Sequence, residues 1–179
     1  MVSRDEEFTA YVRERRAHLY RAAYLLCGDE HRAEDIVQLT LSKVYAAWRR
    51  VQKADSVDAY VRRVLVNSHL DEGRRPWRRE RLGEVAERPA PTGLGAEDHD
   101  ELWTALRSLP AGQRRVVVLR HYWGLSVEET AADLGISSGT VKSQTSAALA
   151  NLRRTLRPDD AAPDAAPDAA PDAARGGRR

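Results

Sequence analysis

The side chains most often recruited for nucleophilic, acid–base or metal chemistry are scattered in this chain. The five histidines (His18, His31, His69, His99 and His121) and the single cysteine, Cys27, show no paired metal-ligand spacing. His69 and Asp71 lie two apart on a helical stretch and so point to different faces. One thiol can form neither an intramolecular disulfide nor a Cys-rich zinc site. With no convergent constellation of acid, base and nucleophile, the sequence points away from an enzyme and implies no metal or cofactor. A different set carries a signal. Ser138, Thr140, Lys142, Ser143 and Ser146 are small, polar or cationic and cluster at the start of one helical stretch. Such side chains enter a DNA major groove without steric cost, and the hydroxyls, Lys142 and the helix N-terminus can all meet phosphate.

Those residues need a scaffold that presents them, and the segment from Ser126 to Arg153 supplies one. Ser126 and Glu129 have capping-box spacing for a short helix, which Gly135 ends by permitting positive φ. Ser137 can cap the next helix. Ala131 is small enough to let the two helices approach, and Ile136 and Val141 wedge between them. Two helices, a tight glycine turn and a polar leading face are the requirements of a helix-turn-helix. An ordinary helical hairpin gives no reason for turn, cap and polar face to coincide.

Upstream, Leu102, Leu106 and Leu109 share a face, Pro110 opens a further helix carrying Val116, Val117, Leu119 and Tyr122, and Gly124 ends it. The first part of the chain also has helical periodicity. Apolar residues from Phe8 to Leu26 are followed by a stop at Gly28. Asp29 caps a second helix whose stripe runs from Ala33 to Trp48. The stretch from Arg49 to Asp55 loses the period and is expected to be a loop. Ser56 caps a third helix, Val57 to about Gly73. On that helix Arg62, Arg63, Asn67, His69 and Arg74 lie outside the apolar stripe, as on a solvated charged face. The expected fold is all-α: two small helical domains joined by a flexible linker, the second containing the helix-turn-helix.

The chain of 179 residues has a formal net charge of +2. From Asp159 onward five Asp and three Arg contribute −2, leaving +4 for the rest, too mildly basic to identify a nucleic-acid binder by charge alone. The segment 77–98, with its Pro/Gly-rich RPAPTGLG, reads as linker, and 158–179, which repeats Ala-Ala-Pro-Asp three times, as a disordered tail. No apolar run approaches the roughly 20 residues that cross a bilayer, and the acidic N-terminus lacks a signal-peptide core. A cytoplasmic protein without membrane contact is expected.

Three segments in order resemble a known family. AEDIVQLTLSKVYAAW resembles the core-polymerase-binding segment of the extracytoplasmic-function type of bacterial RNA polymerase sigma factor, VDAYVRRVLVNSHLDEGRR the segments that melt and read the −10 promoter element, and ELWTALRSLPAGQRRVVVLRHYWGLSVEETAADLGISSGTVKSQTSAALANLR the −35-reading region. The resemblance spans about residues 8 to 157, and the Arg- and Ala-rich composition suggests a high-GC genome and the SigE-like subgroup. It implies a factor that binds core RNA polymerase and directs promoter-specific initiation. Residues 8–76 would bind polymerase and the −10 element, and 99–157 the −35 element. By resemblance, Asp35 and Gln38 contact polymerase. Asn67, Asp71 and Arg74 match the family's −10-facing pattern, with Arg63 beside them, and the loop around 51–58 holds a flipped base. Ser138, Thr140, Lys142, Ser143 and Ser146 become the −35 contacts. Promoter DNA and core polymerase are the implied partners, an anti-sigma factor is a further candidate, and the free protein is expected to be a monomer. Gln144, Ala147 and Asn151 depart from the pattern, standing where the family often has Arg, which lowers the expected number of phosphate contacts. Thr145 stands where Leu is common, which predicts looser inner packing. A polymerase-independent regulator would be expected to dimerise on a palindrome, and no dimerisation stripe is evident. A protein-interaction scaffold would tolerate charge reversal at Lys142.

Overall fold

A computed structural model describes residues 3–74 and 103–156 of the chain. The linker 77–98 and the tail 158–179 lie outside these residues. Every regular element described is helical. In chain order these are α1 (Arg4–Cys27), α2 (Glu30–Ala46), a single turn α3 (Trp48–Val51), α4 (Val57–Arg74), α5 (103–108), α6 (Ala111–Val117), α7 (Val127–Leu134) and α8 (Ser138–Leu156). α6 runs on as a π-helical turn, Val118–Tyr122.

The ends of these helices follow local chemistry. α1 begins earlier than the apolar period suggests, because Ser3 caps it through a reciprocal pair: Glu6 N–H donates to the Ser3 hydroxyl and Ser3 N–H to the Glu6 carboxylate. Asp5, Glu6 and Glu7 then lie in its first turn, where carboxylates suit the helix dipole. Gly28 ends α1 with φ 71°, and Asp29 caps α2 by accepting from Arg32 N–H at 2.9 Å. Ser56 caps α4 through Ala59 N–H at 3.1 Å. Gly73 does not stop α4; the helix includes it and runs to Arg74. Pro110 sits at the N-cap of α6, one position earlier than a first-turn proline. Instead of a loop from Arg49, the chain makes the turn α3, because Trp48 and Val51 are both buried and one helical turn puts them on the same side.

The first half is built by α1, α2 and α4 around Leu19, Ala23, Ile36, Val37, Val44, Trp48, Val61 and Leu65. The second half has a smaller core. Val116, Ala131 and Val141 meet inside the helix-turn-helix, and Leu106, Leu109, Val117 and Ala148 hold α5, α6 and α8 together. Such thin cores gain from further burial, and here the halves supply it to one another. Val118 belongs to the cluster of the first half. Val66 and Leu70 of α4 pack with Leu119, Leu125 and Leu134 of the second.

Candidate nucleic-acid interface

The helix-turn-helix forms from α7 and α8 with the expected local chemistry. Ser126 N–H donates to the Glu129 carboxylate at 2.8 Å, and Glu129 N–H to the Ser126 hydroxyl at 3.1 Å. The hydrogen bond from the Ser126 backbone N–H, and after it the Ser126 side chain, hold the Glu129 carboxyl below its ordinary pKa. Gly135 closes α7 at φ 64°, where an L side chain is strained. Ser137 caps α8, accepting from Thr140 N–H at 3.1 Å. Val141 is fully buried against Val116 and Ala131, and Ile136 packs beside them.

That geometry leaves the leading face of α8 open. Lys142, Ser143 and Ser146 are exposed, and Ser138 and Thr140 are partly so. The Thr140 hydroxyl lies 2.8 Å from that of Ser137, and the Ser143 hydroxyl donates to the Thr140 carbonyl at 3.0 Å. These local bonds orient the hydroxyls without burying them. Two of the family departures have an internal use. Asn151 donates from its amide to Gln113 at 2.9 Å, and Gln144 lies against Gly112, so both tie α8 to α6. Thr145 is partly buried and donates its hydroxyl to the Val141 carbonyl at 2.7 Å; helix backbone satisfies the polar atom that replaces an apolar side chain.

The face of α4 differs from a solvated charged face. Arg63 and Asn67 are exposed at residue level, but Arg62 is buried and His69 is partly buried. Arg62 Nε donates to one oxygen of Asp133 at 2.6 Å and Arg63 Nε to the other at 2.7 Å. The Asp133 side chain is 1% exposed, so α7 and α4 share one buried carboxylate. His69 lies among Arg115, Arg32 and Arg114. Burial first, and then those cations, push its pKa down to about 4. The side chain of Arg74 lies outside the described residues.

Asp71 faces a different way from Arg63. It lies 3.9 Å from Lys43 and shares a cleft of about 330 Å³ with Asp35 and the exposed Leu39. Gln38 is exposed on the same helix as Asp35 and donates to Glu34 at 3.1 Å. In the loop 51–58, Val51 is buried, Gln52 reaches Glu7 at 2.6 Å, and Asp58 takes Tyr11 at 3.1 Å and Arg15 at 2.5 Å. Lys53 and Asp55 remain exposed there. Trp48 is core, and Tyr60 is half-buried with its hydroxyl accepting from Arg50.

Sequence reasoning missed two contacts across the halves, Asp133 with Arg62 and Arg63, and Tyr122 with His18. The Tyr122 hydroxyl lies 3.1 Å from His18 Nδ1, and the two rings stack at 4.7 Å. No spacing signal could have paired residues so far apart in sequence. Among the described residues, no cluster of His, Cys, Asp and Glu could hold a metal ion, and no helix is long and apolar enough to cross a membrane.

Comparison with known proteins matches residues 11–79 to the family model Sigma-70 region 2 and residues 99–152 to Sigma-70, region 4. The RNA polymerase sigma-E factor of Streptomyces coelicolor is 40% identical over 156 residues, covering 84% of this chain and 86% of that protein. The ECF RNA polymerase sigma factor SigL of Mycobacterium tuberculosis is 35% identical over 154 residues, covering 80% of this chain and 85% of its own length. Among solved structures, the sigma factor RpoE in complex with the anti-sigma factor NepR, from Bartonella quintana, is similar with a TM-score of 0.73. Its identity is 28%, over 86% of this chain and 99% of that one.

Proposed function

The chain belongs to the sigma-70 family of RNA polymerase sigma factors, on the SigE-like side of its extracytoplasmic-function branch, and from that membership we propose how its two halves divide the work of promoter-specific initiation. Residues 8–76 dock on core RNA polymerase through the cleft side of α2, with Asp35 and Gln38 as contacts. Arg63, Asn67, Asp71 and Arg74 on α4 engage the −10 element, and exposed residues of the loop 51–58 hold an extruded base. Extrusion costs a few kcal/mol of stacking that a pocket must offset. Residues 99–157 bind the −35 element, with the leading turns of α8 in the major groove. There Ser138, Thr140, Lys142, Ser143 and Ser146 meet bases and phosphates.

The observation that carries this division is the open leading face of α8. It is polar and cationic, presented by a capped turn, and not used by the internal packing of the second half. Because Gln144 and Asn151 pack inward, phosphate contacts are few and the −35 grip is modest. No covalent chemistry is asked of the chain. It acts in the cytoplasm, where polymerase is, as a monomer when free. An anti-sigma factor is a candidate partner, as for the Bartonella relative solved with one.

Run-off transcription with purified core polymerase, with and without the protein, on a genomic DNA library tests this. Transcripts that depend on the protein, and share two spaced elements upstream of their starts, are expected. Absence of such transcripts, together with no association with core polymerase, would leave a polymerase-independent DNA binder as the better account.

A further inference from the structure

The charge of the second half reverses just past its last helix. α8 carries Lys142, Arg153 and Arg154 and no carboxylate. The chain that follows does the opposite: from Pro158 to Ala174 there are five Asp, at 159, 160, 164, 168 and 172, and no cation. Residues 103–156 are basic as a whole, with seven Lys and Arg against three carboxylates. Of those three, Asp133 is already taken by Arg62 and Arg63, and Glu129 by the cap at Ser126. Lys142, Arg153 and Arg154 are all exposed, and among the described residues no carboxylate pairs with any of them.

The cations lie along one line. Lys142 and Arg153 are eleven residues apart, about three helical turns, so they share a side of α8 about 17 Å apart, with Ser146 between them and Arg154 beside Arg153. Val141 and Ala148 face inward, which leaves that side open. The Asp residues that follow have a matching reach. Pro158 disfavours helical backbone at the residue before it. Proline-rich chain extends about 3.1 Å per residue, so an Asp at every fourth position recurs about every 12 Å. From Leu156 back to Lys142 is about 21 Å of helix, which about seven extended residues cover. Asp164 and Asp168 stand eight and twelve residues past Leu156. The segment can therefore turn back beside Arg153 and Arg154 and still bring a carboxylate to Lys142.

From this charge reversal and reach we propose that the Asp-bearing segment 158–174 docks along the exposed line of α8, its carboxylates on Lys142, Arg153 and Arg154, and so competes with DNA for that face. The competition rests on the assignment of α8 to the −35 element. Carboxylate and phosphate oxygens accept from the same ammonium and guanidinium donors, so the two occupants exclude one another. Exposed ion pairs are individually weak. A tether this short offsets that weakness, because it holds the segment at an effective concentration on the order of millimolar. DNA, with its continuous row of phosphates, displaces the segment where groove contacts add to charge. Where charge is the only attraction, the segment keeps α8 partly occupied, and the apparent affinity for DNA falls with the fraction left free.

Nuclear magnetic resonance of the full chain, paired with DNA titration, tests the docking. The variant combines Asp159→Asn, Asp160→Asn, Asp164→Asn, Asp168→Asn and Asp172→Asn, which keeps the length of the chain and every residue of its helices. The amide signals of Lys142, Ser146, Arg153 and Arg154 are expected to differ between wild type and variant, and those of α1 and α2 to coincide. Fluorescence anisotropy with a labelled random-sequence duplex of about 20 base pairs, at about 50 mM salt, reads the competition. The variant is expected to bind about three- to tenfold more tightly than wild type. The gap should narrow at about 200 mM salt, where exposed charge pairs are screened. Coincident α8 signals in the two proteins would overturn the docking, even with tighter duplex binding, since loss of net negative charge alone produces that. Signals that move on another surface instead of α8 would overturn it as well. Failure of the −35 assignment looks different: the α8 signals move as expected while neither protein binds the duplex, which keeps the docking and removes the competition.

Discussion

The leading face of α8 and the outward face of α4 are both polar helical surfaces assigned to DNA, yet the fold treats them differently. On α8 the side chains are exposed or partly so, and Ser143 bonds only to Thr140 within its own turn. On α4, Arg62 and Arg63 are committed to a carboxylate on α7, and His69 is tucked among arginines of α2 and α6. A surface made by local sequence keeps its character in the folded chain. A surface flanked by apolar residues such as Val66 and Leu70 attracts a neighbour. Substitutions on α8 should therefore change promoter use without changing stability, and those where α4 packs on the second half should change stability first.

The largest expected effect is where the end of α1 meets α5. A Cβ on Gly28 would lie 2.0 Å from the Trp103 ring, and the position has φ 71°. Gly28→Ala should cost about 2–4 kcal/mol in stability, from left-handed strain and overpacking together. Adding Trp103→Ala should relieve the steric part, which urea denaturation of the single and double variants can read. If the double variant is no more stable than Gly28→Ala, strain at the turn alone is responsible and the ring is not held there.

Acidification is the next test. His69 has a folded pKa of about 4, against 6.5 ordinarily. Between those values the unfolded chain takes up a proton that the folded chain refuses. The stability this site contributes is thus present above pH 6.5 and lost as pH falls toward 4, approaching about 3 kcal/mol. Denaturation midpoints across that window should fall in wild type and flatten in His69→Gln. Equal slopes would mean that the ring is solvated.

On α8 the effect is functional. Lys142→Glu replaces a groove contact with repulsion and should reduce transcription from a cognate −35 element by about ten- to a hundredfold, roughly 1–3 kcal/mol. The melting temperature should not move. A fall in both would erase the contrast between the two faces. The smallest effect is at the N-cap of α7. Ser126→Ala removes the acceptor of Glu129 N–H and should cost about 1 kcal/mol by thermal melting.

Much of this protein is written in short stretches of its sequence. The caps at Asp29, Ser56, Ser126 and Ser137, the turns at Gly28 and Gly135, and the buried stripe of α2 each depend on residues within a turn or two. The helix-turn-helix and its open face could be read for the same reason. Where local signals were weak the sequence misled. Arg49 to Val51 lacked periodicity but coils to bury Val51, and Gly73 did not stop α4 because an end signal only biases a helix that packing can extend. Nothing in the local sequence marks Asp133, on a short helix, for burial. Only the tertiary structure gave it Arg62, 71 residues away, and brought Tyr122 to His18 across 104. Local hydrogen bonding fixes what each helix is, whereas two thin cores that each leave apolar surface uncovered decide which helices meet, and that depends on the whole chain at once.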